Sequence, residues 1–412
     1  MELSIIICVY NTKKEYLEEC LESITSSTLK NLGNGFEICM VDDGSSVDYS
    51  DIIEHYGIRV TKTENRGIFS ARKTGVEMAR GKYAIYCDSD DTVSFNYYLP
   101  MLKKAKETDA DIVINDWATR TPGDRYYATK DETICTDIDV SGEDTLLAFA
   151  KNEGKQHSFY VLWNKLYKTE LLLSSFEKLL AEEYGERTSY SEDTALNFFL
   201  WRDAIRVVNV HTGFYFYRIH EDQSVTVASE EKLRSQIDSM TKTLDIMKRN
   251  IGEDRNKEQI LSHIREWELL MARTHFSSAK SAGYAGLFPY IKKKYRTDKL
   301  ERSTASDGKF YRSTELLGVN FLDVEGALLS IYDSKVPVRC TYSKKDKYTH
   351  LAVSYLKELG KITCDPEAPL VEIPRFRIGI KKRIIHNPLV FRIGDTLFKK
   401  GSKARRFLKK FM

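Results

Sequence analysis

Within the first 120 residues, short apolar runs alternate with helical patterns, and each run ends in polar or acidic residues. Residues 4–10 (SIIICVY) are β-branched and continuously apolar, as a strand covered on both faces must be. Leu17, Cys20, Leu21 and Ile24 then recur at i, i+3, i+4 and i+7, one face of a helix. Residues 36–41, 58–62 and 83–87 read as further strands, with Ala71, Gly75, Met78 and Ala79 marking a helix face between the last two. Residues 99–108 read as a helix and 111–115 as a strand. This alternation predicts an α/β fold: an open, mostly parallel sheet wrapped by helices. Such sheets bind ligands just beyond the carboxyl ends of their strands. Here those ends carry Tyr10-Asn11, Asp42-Asp43 and Asp88-Ser89-Asp90-Asp91.

The loop after the first strand, Tyr10-Asn11-Thr12-Lys13, holds no glycine, which excludes a dinucleotide fingerprint or a P-loop there. Neither a G-x-S-x-G elbow nor an H-E-x-x-H helix is present. Carboxylates at i and i+2 after a buried strand, Asp88 and Asp90, suit a hard cation and a diphosphate it bridges, although a solvated acidic turn uses the same residues. Asp42-Asp43-Gly44-Ser45 reads either as an Asx turn or as a carboxylate accepting from a nucleobase N–H. Asn65-Arg66-Gly67 opens a helix whose Arg72 or Lys73 is placed to meet phosphate.

Taken in order, SIIICVYN, VDDGSS and ENRGIFSARKTGVEMARGKYAIYCDSDD resemble family 2 glycosyltransferases of the GT-A fold over roughly the first 115 residues, with weaker similarity to about residue 227. The resemblance implies transfer of a sugar from a nucleotide-diphosphate donor, a UDP-sugar favoured, with inversion and with a divalent metal, Mn²⁺ or Mg²⁺. By it, Val9 and Tyr10 face the nucleobase, and Asp43, with Asp42 beside it, binds the base. Asn65 and Arg72 join the donor site, Asp88 with Ser89 holds ribose or a ligand water, and Asp90 binds the metal. Inverting transfer is a single displacement that needs one general base on the acceptor hydroxyl. Glu192-Asp193, ahead of Leu196, Phe199 and Leu200, looks like the family's paired acids, with Asp193 as the base and Glu192 orienting it or the acceptor. On the residues alone, Ser191 reads equally as a helix N-cap, with the two acids favouring the helix dipole. Tyr217-Arg218-Ile219-His220, ahead of Gln223-Ser224-Val225, resembles the segment after the base in many bacterial members, where Arg218 or His220 touches diphosphate or metal.

Charge divides the chain. The total of 63 Lys+Arg against 60 Asp+Glu is a net +3. Residues 375–412 hold thirteen Lys/Arg and only Asp395, so a +12 tail follows a body of −9. Within the tail, Asn387-Pro388 starts a helix pattern carrying Val390, Ile393 and Leu397, and Phe391, Phe398, Phe407 and Phe411 are interleaved with basic residues. Bulky apolar and basic residues together describe an interfacial membrane segment, with nucleic-acid binding as its rival. The expected organisation is a transferase domain at 1–228 (a nucleotide-binding half 1–116 and an acceptor half 117–228), a helical and mixed region at 229–370, and a basic amphipathic tail at 371–412. Residues 229–370 are open to an acceptor or homo-oligomer role. No run approaches the roughly 20 apolar residues of a membrane span. Seven scattered cysteines without a CxxC pair read as reduced thiols. The expected setting is the cytoplasm, at the inner face of the membrane, with a glycan or lipid-linked acceptor for a surface polysaccharide or teichoic acid. The competing class is a catalytically degenerate nucleotide-sugar-binding or assembly protein.

Overall fold

The computed structural model describes residues 1–121, 125–127, 137–151, 157–184, 190–220, 229–297, 318–345 and 347–375. The strands are β1 (Leu3–Val9), β2 (Phe36–Asp42), β3 (Arg59–Lys62), β4 (Tyr83–Tyr86), β5 (Thr92–Val93), β6 (Ile112–Thr121), β7 (Arg125–Tyr127), β8 (Asp139–Ser141), β9 (Lys165–Lys168), β10 (Arg206–Arg218), β11 (Arg339–Thr341) and β12 (Leu370–Glu372). The helices that matter below are α1 (Lys14–Thr25), α2 (Ser50–Tyr56), α3 (Ile68–Met78), α4 (Tyr98–Thr108), α5 (Asp144–Lys151), α6 (His157–Tyr160), α7 (Thr169–Ala181), α8 (Glu192–Asp203), α9 (Glu230–Arg249), α10 (Lys257–Ser281), α11 (Phe288–Lys294), α12 (Gly318–Asp333) and α13 (Lys347–Glu358).

The main sheet runs β3-β2-β1-β4-β9-β6-β10-β5. β1 pairs in parallel with β2 and β4, β2 with β3, and β6 with β10. β9 enters antiparallel between β4 and β6. β5 and β8 pair antiparallel with β10. The α/β sheet expected from the alternation is therefore present, but as a mixed sheet rather than a mostly parallel one, with β9 supplied by a stretch whose pattern is irregular. Alternation along β1 explains its all-apolar sequence. Ile5, Ile7 and Val9 enter one core with Leu17, Leu21, Ile24 and Met101, whereas Ile6 enters the other with Phe69, Val76 and Leu196. Helix α3 lies so close to β1 that a Cβ on Gly75 would meet Ile6 Cγ2 at 2.3 Å.

Packing divides the chain elsewhere than near residue 228. One compact unit comprises 1–122 and 129–311, and the other 123–128 and 312–412. The reason lies in α9 and α10. Leu233, Ile237 and Leu244 of α9, with Ile264 and Trp267 of α10, are buried in one core with Phe149 of α5 and Leu196 and Trp201 of α8. The apolar faces of these helices are thus covered by the core that α5 and α8 of the same chain share. In the second unit β11 pairs in parallel with β12, and α12 packs on α13. The basic tail from residue 376 onward, including Asn387-Pro388, lies outside the described residues, as do Gln223-Ser224-Val225. No helix among the described residues is long and apolar enough to cross a membrane.

Candidate active site

Register fixes the floor of the site. Val9 pairs with Asp42 and Ile6 with Tyr86, so Tyr10, Asp43 and Asp88 leave the same edge of the sheet where β1, β2 and β4 end. Asn11, at φ 51°, ties two of these ends together. Its N–H donates to Ser45 Oγ at 2.9 Å, and its Oδ1 accepts from Ser46 N at 2.8 Å. Tyr10 is 54% exposed beside this turn, whereas the Val9 side chain is 1% exposed and belongs to the core. Val9 can therefore meet a ligand only through its backbone, because the β pleat turns its side chain inward.

Asp42 and Asp43 are both buried, and both order the adjacent loops. Asp42 Oδ1 accepts from Ser45 N at 2.9 Å. Asp43 accepts from Thr63 Oγ1 and Arg66 N at 3.0 Å each, and from Gly67 N at 2.8 Å. Its carboxylate thereby sets the Asn65-Arg66-Gly67 loop and the start of α3. Gly44, at φ +81°, passes so close to that loop that a Cβ would sit 2.7 Å from Asn65 N. Asn65 itself is exposed at the rim. Ser89 is tied down by Thr12, its hydroxyl 2.7 Å from Thr12 Oγ1.

The two cations of α3 separate cleanly. Lys73 pairs with Glu77 one turn along on the outer face. Arg72 is buried and points inward. Its Nη1 donates to Glu192 Oε1 at 2.9 Å, and its Nη2 lies 3.6 Å from Asp88 Oδ1. One guanidinium thus joins the end of β4 to the start of α8, residues 104 positions apart in the chain. Tyr86 supports it, its ring centroid 5.9 Å from the guanidinium carbon and its hydroxyl donating to Arg72 O at 3.1 Å. Burial raises the Glu192 carboxyl to about 7, helped by the Asp193 charge and opposed by Arg72. Burial raises Asp193 also, again opposed by Arg72. Asp193 Oδ1 accepts from Thr194 N at 2.7 Å, so this acid caps its own helix. Ser191 does not. It occupies the N-cap position at φ 63°, but its side chain makes no cap bond, so the capping expected of its hydroxyl is absent.

On the other flank, His220 Nε2 lies 2.8 Å from Asp90 Oδ2. The His220 Nδ1 is buried and has no partner among the described residues. Arg218 is held in place by its neighbours. Its N–H donates to Asp91 Oδ1 at 2.7 Å, its Nε to Asp90 O at 2.6 Å and its Nη2 to Glu19 Oε2 at 2.6 Å. Its guanidinium carbon sits 4.3 Å from the Tyr16 ring centroid. Glu19 also accepts from Arg120 at 2.7 Å, and the two arginines hold its carboxyl below the usual range against its partial burial. Sequence reasoning missed Tyr16 and Glu19, which lie on α1 outside its buried stripe and carry no motif. It also assigned no role to Lys165, which is fully buried, donates to Asn164 Oδ1 at 2.9 Å and opposes the rise at Asp193. The only available signal was a lysine inside the aromatic segment Trp163–Tyr167. Trp163 stacks on Tyr215 at 4.4 Å and is a core residue.

An α/β sheet with acidic strand ends, joined through Arg72 to a pair of acids from a later helix, has the arrangement in which open α/β sheets bind ligands. Residues 4–174 match the family described as Glycosyl transferase family 2. Over these residues the chain is similar to that family. The chain is similar to a putative glycosyltransferase, EpsH, of Bacillus subtilis (29% identity over 298 residues, 68% of this chain and 82% of that protein). It is also similar to the poly(ribitol-phosphate) beta-glucosyltransferase of Bacillus spizizenii (31% over 121 residues, 28% of this chain and 19% of that protein). Among solved structures, S. aureus TarS 1-349 in complex with UDP-GlcNAc aligns with TM-score 0.45 and 16% identity, over 72% of this chain and 92% of that one.

Proposed function

We propose that this glycosyltransferase moves a sugar from a nucleoside-diphosphate donor, a UDP-sugar in the first instance, to an acceptor hydroxyl with inversion. The observation that supports this reading most directly is the Arg72 bridge, which brings the Asp88 strand end and the Glu192-Asp193 helix start to one crevice. A donor seated over the strand ends has its diphosphate near Asp88 and Asp90 and its anomeric carbon toward α8. Asp193 then takes the proton of the acceptor hydroxyl as it attacks from the face opposite the diphosphate. Glu192, held by Arg72, fixes the start of the helix that carries the base. Tyr10 lies open beside the place of the nucleobase, and Asp43 shapes the loop around it.

A divalent cation fits one flank of this site. Asp90 and His220 converge from different elements as one carboxylate and one imidazole. Among the described residues no third His, Cys, Asp or Glu joins them. A bound divalent ion would be held by Asp90 and His220 and would supply positive charge beside the departing diphosphate. Incubation with a panel of nucleotide sugars is expected to release nucleoside diphosphate from one of them, and EDTA is expected to abolish the release until Mn²⁺ or Mg²⁺ is restored. Release from none of the panel, with or without acceptor, overturns the enzymatic reading in favour of a binding or assembly protein. Undiminished turnover in EDTA overturns the metal assignment.

The acceptor is a growing surface glycan, a teichoic-acid-like polymer or a lipid-linked precursor at the inner face of the membrane. The composition of residues 375–412 supports this, as does the similarity to a poly(ribitol-phosphate) transferase. Each basic residue near an anionic leaflet contributes about 1 kcal/mol. Deleting 375–412 is expected to abolish cosedimentation with anionic phospholipid vesicles while leaving donor hydrolysis intact. Vesicle binding that survives the deletion refutes the attachment role.

A further inference from the structure

We propose that Ser239 and Thr243 of α9 are positioning residues for the transfer, holding the Tyr190-Ser191 turn so that the acids following it face the crevice. Ser191 adopts φ 63°, the left-handed region, which is strained for a non-glycine residue and persists only where the surroundings impose it. The surroundings here are α9. Ser191 Oγ lies 2.9 Å from Thr243 Oγ1 and 3.4 Å from Ser239 Oγ. Ser239 Oγ donates to the Tyr190 carbonyl. Tyr184 OH completes the group at 3.3 Å from Thr243 Oγ1. Thr243 and Tyr184 are buried, so these hydroxyls depend largely on one another for hydrogen bonds. One turn is therefore gripped from behind by α9, and the next residue, Glu192, is gripped from the front by Arg72. Asp193 stands directly after these two fixed points. This gives part of the region 229–370, whose role the sequence left open, a task within the transferase. It rests on the reading of Asp193 as the general base.

The experiment compares full-length wild type with Thr243→Val, Thr243→Ser, the Ser239→Ala/Thr243→Val pair and Asp193→Asn. Each is assayed for UDP binding by calorimetry in Mn²⁺ and for turnover of the UDP-sugar identified by the panel. A misplacement on the order of 1 Å at a reacting group costs about 100-fold in rate. The expected result is a fall in kcat of about 10- to 100-fold in the valine and paired variants. KM for donor and the Kd for UDP should stay within about twofold, and Thr243→Ser should restore the rate. A paired variant that binds UDP normally and keeps kcat overturns the proposal, as does a Thr243→Ser as slow as Thr243→Val. A variant that loses kcat and UDP binding together also overturns it, since the hydroxyls then only stabilise the fold. Full activity in Asp193→Asn instead marks failure of the base assignment.

Discussion

Replacing Asp193 by Asn lowers kcat by about 10²–10⁴-fold, the ordinary contribution of a positioned general base, with KM for the donor nearly unchanged. The amide is isosteric, still accepts from Thr194 N and leaves the Arg72–Glu192 pair intact, so the loss isolates proton removal from folding. The pH profile gives a second readout. Burial raises both acids of the pair, Glu192 to about 7, so a proton is retained on Glu192 into the neutral range. Wild-type kcat/KM is therefore expected to climb with pH through that range and level off above it, a limb belonging to the pair jointly. Asp193→Asn should lose the limb. Activity of the variant close to wild type removes Asp193 from the mechanism.

Arg72→Met carries the largest expected cost in stability. The substitution keeps the stem but leaves Glu192, Asp88 and Asp193 without the charge that opposes their burial. Breaking one side of a buried ion pair costs about 3–5 kcal/mol, because the remaining charges stay desolvated. Chemical denaturation measures this directly. Lys73→Met, one residue away on the exposed face, is the control and should cost no more than about 0.5 kcal/mol. The pH dependence has a defined sign. Between the usual 4.5 and about 7, native Glu192 keeps a proton that the unfolded chain has released, so this group makes stability fall as pH rises. Without Arg72 the proton is held more strongly, so the variant's loss should deepen with rising pH and shrink in mild acid. A loss below about 1 kcal/mol at neutral pH contradicts the hub role of Arg72.

The strand order was not legible in the sequence, but the strand ends were. Runs such as SIIICVY and YAIY can only be strands covered on both faces, and their ends must present whatever polar residues follow. Tyr10, Asp43, Asp88 and Asp90 could therefore be placed at one edge before any coordinates. Strand β9 escaped because Lys165–Lys168 is four residues long and carries a buried lysine where periodicity expects an apolar residue. The packing of α9 and α10 escaped for another reason. Helical periodicity reveals that an apolar face exists, not which surface covers it. A composition shift near 228 therefore looked like a domain boundary although the core runs through it.

By itself, then, the sequence determined the α/β class and the polar residues that follow its strands, because local pattern and strand polarity dictate these; the paired acids came through the family resemblance. The tertiary structure alone decided which cation serves the site. Arg72 and Lys73 are neighbours with similar chemistry, and only the packing of α3 against β1 turns one toward Glu192 and the other toward Glu77. It also decided what holds the acids. Ser191 reads as a cap, yet its left-handed backbone and its bonds to α9 come from contacts 48 and 52 residues away, which no local pattern encodes.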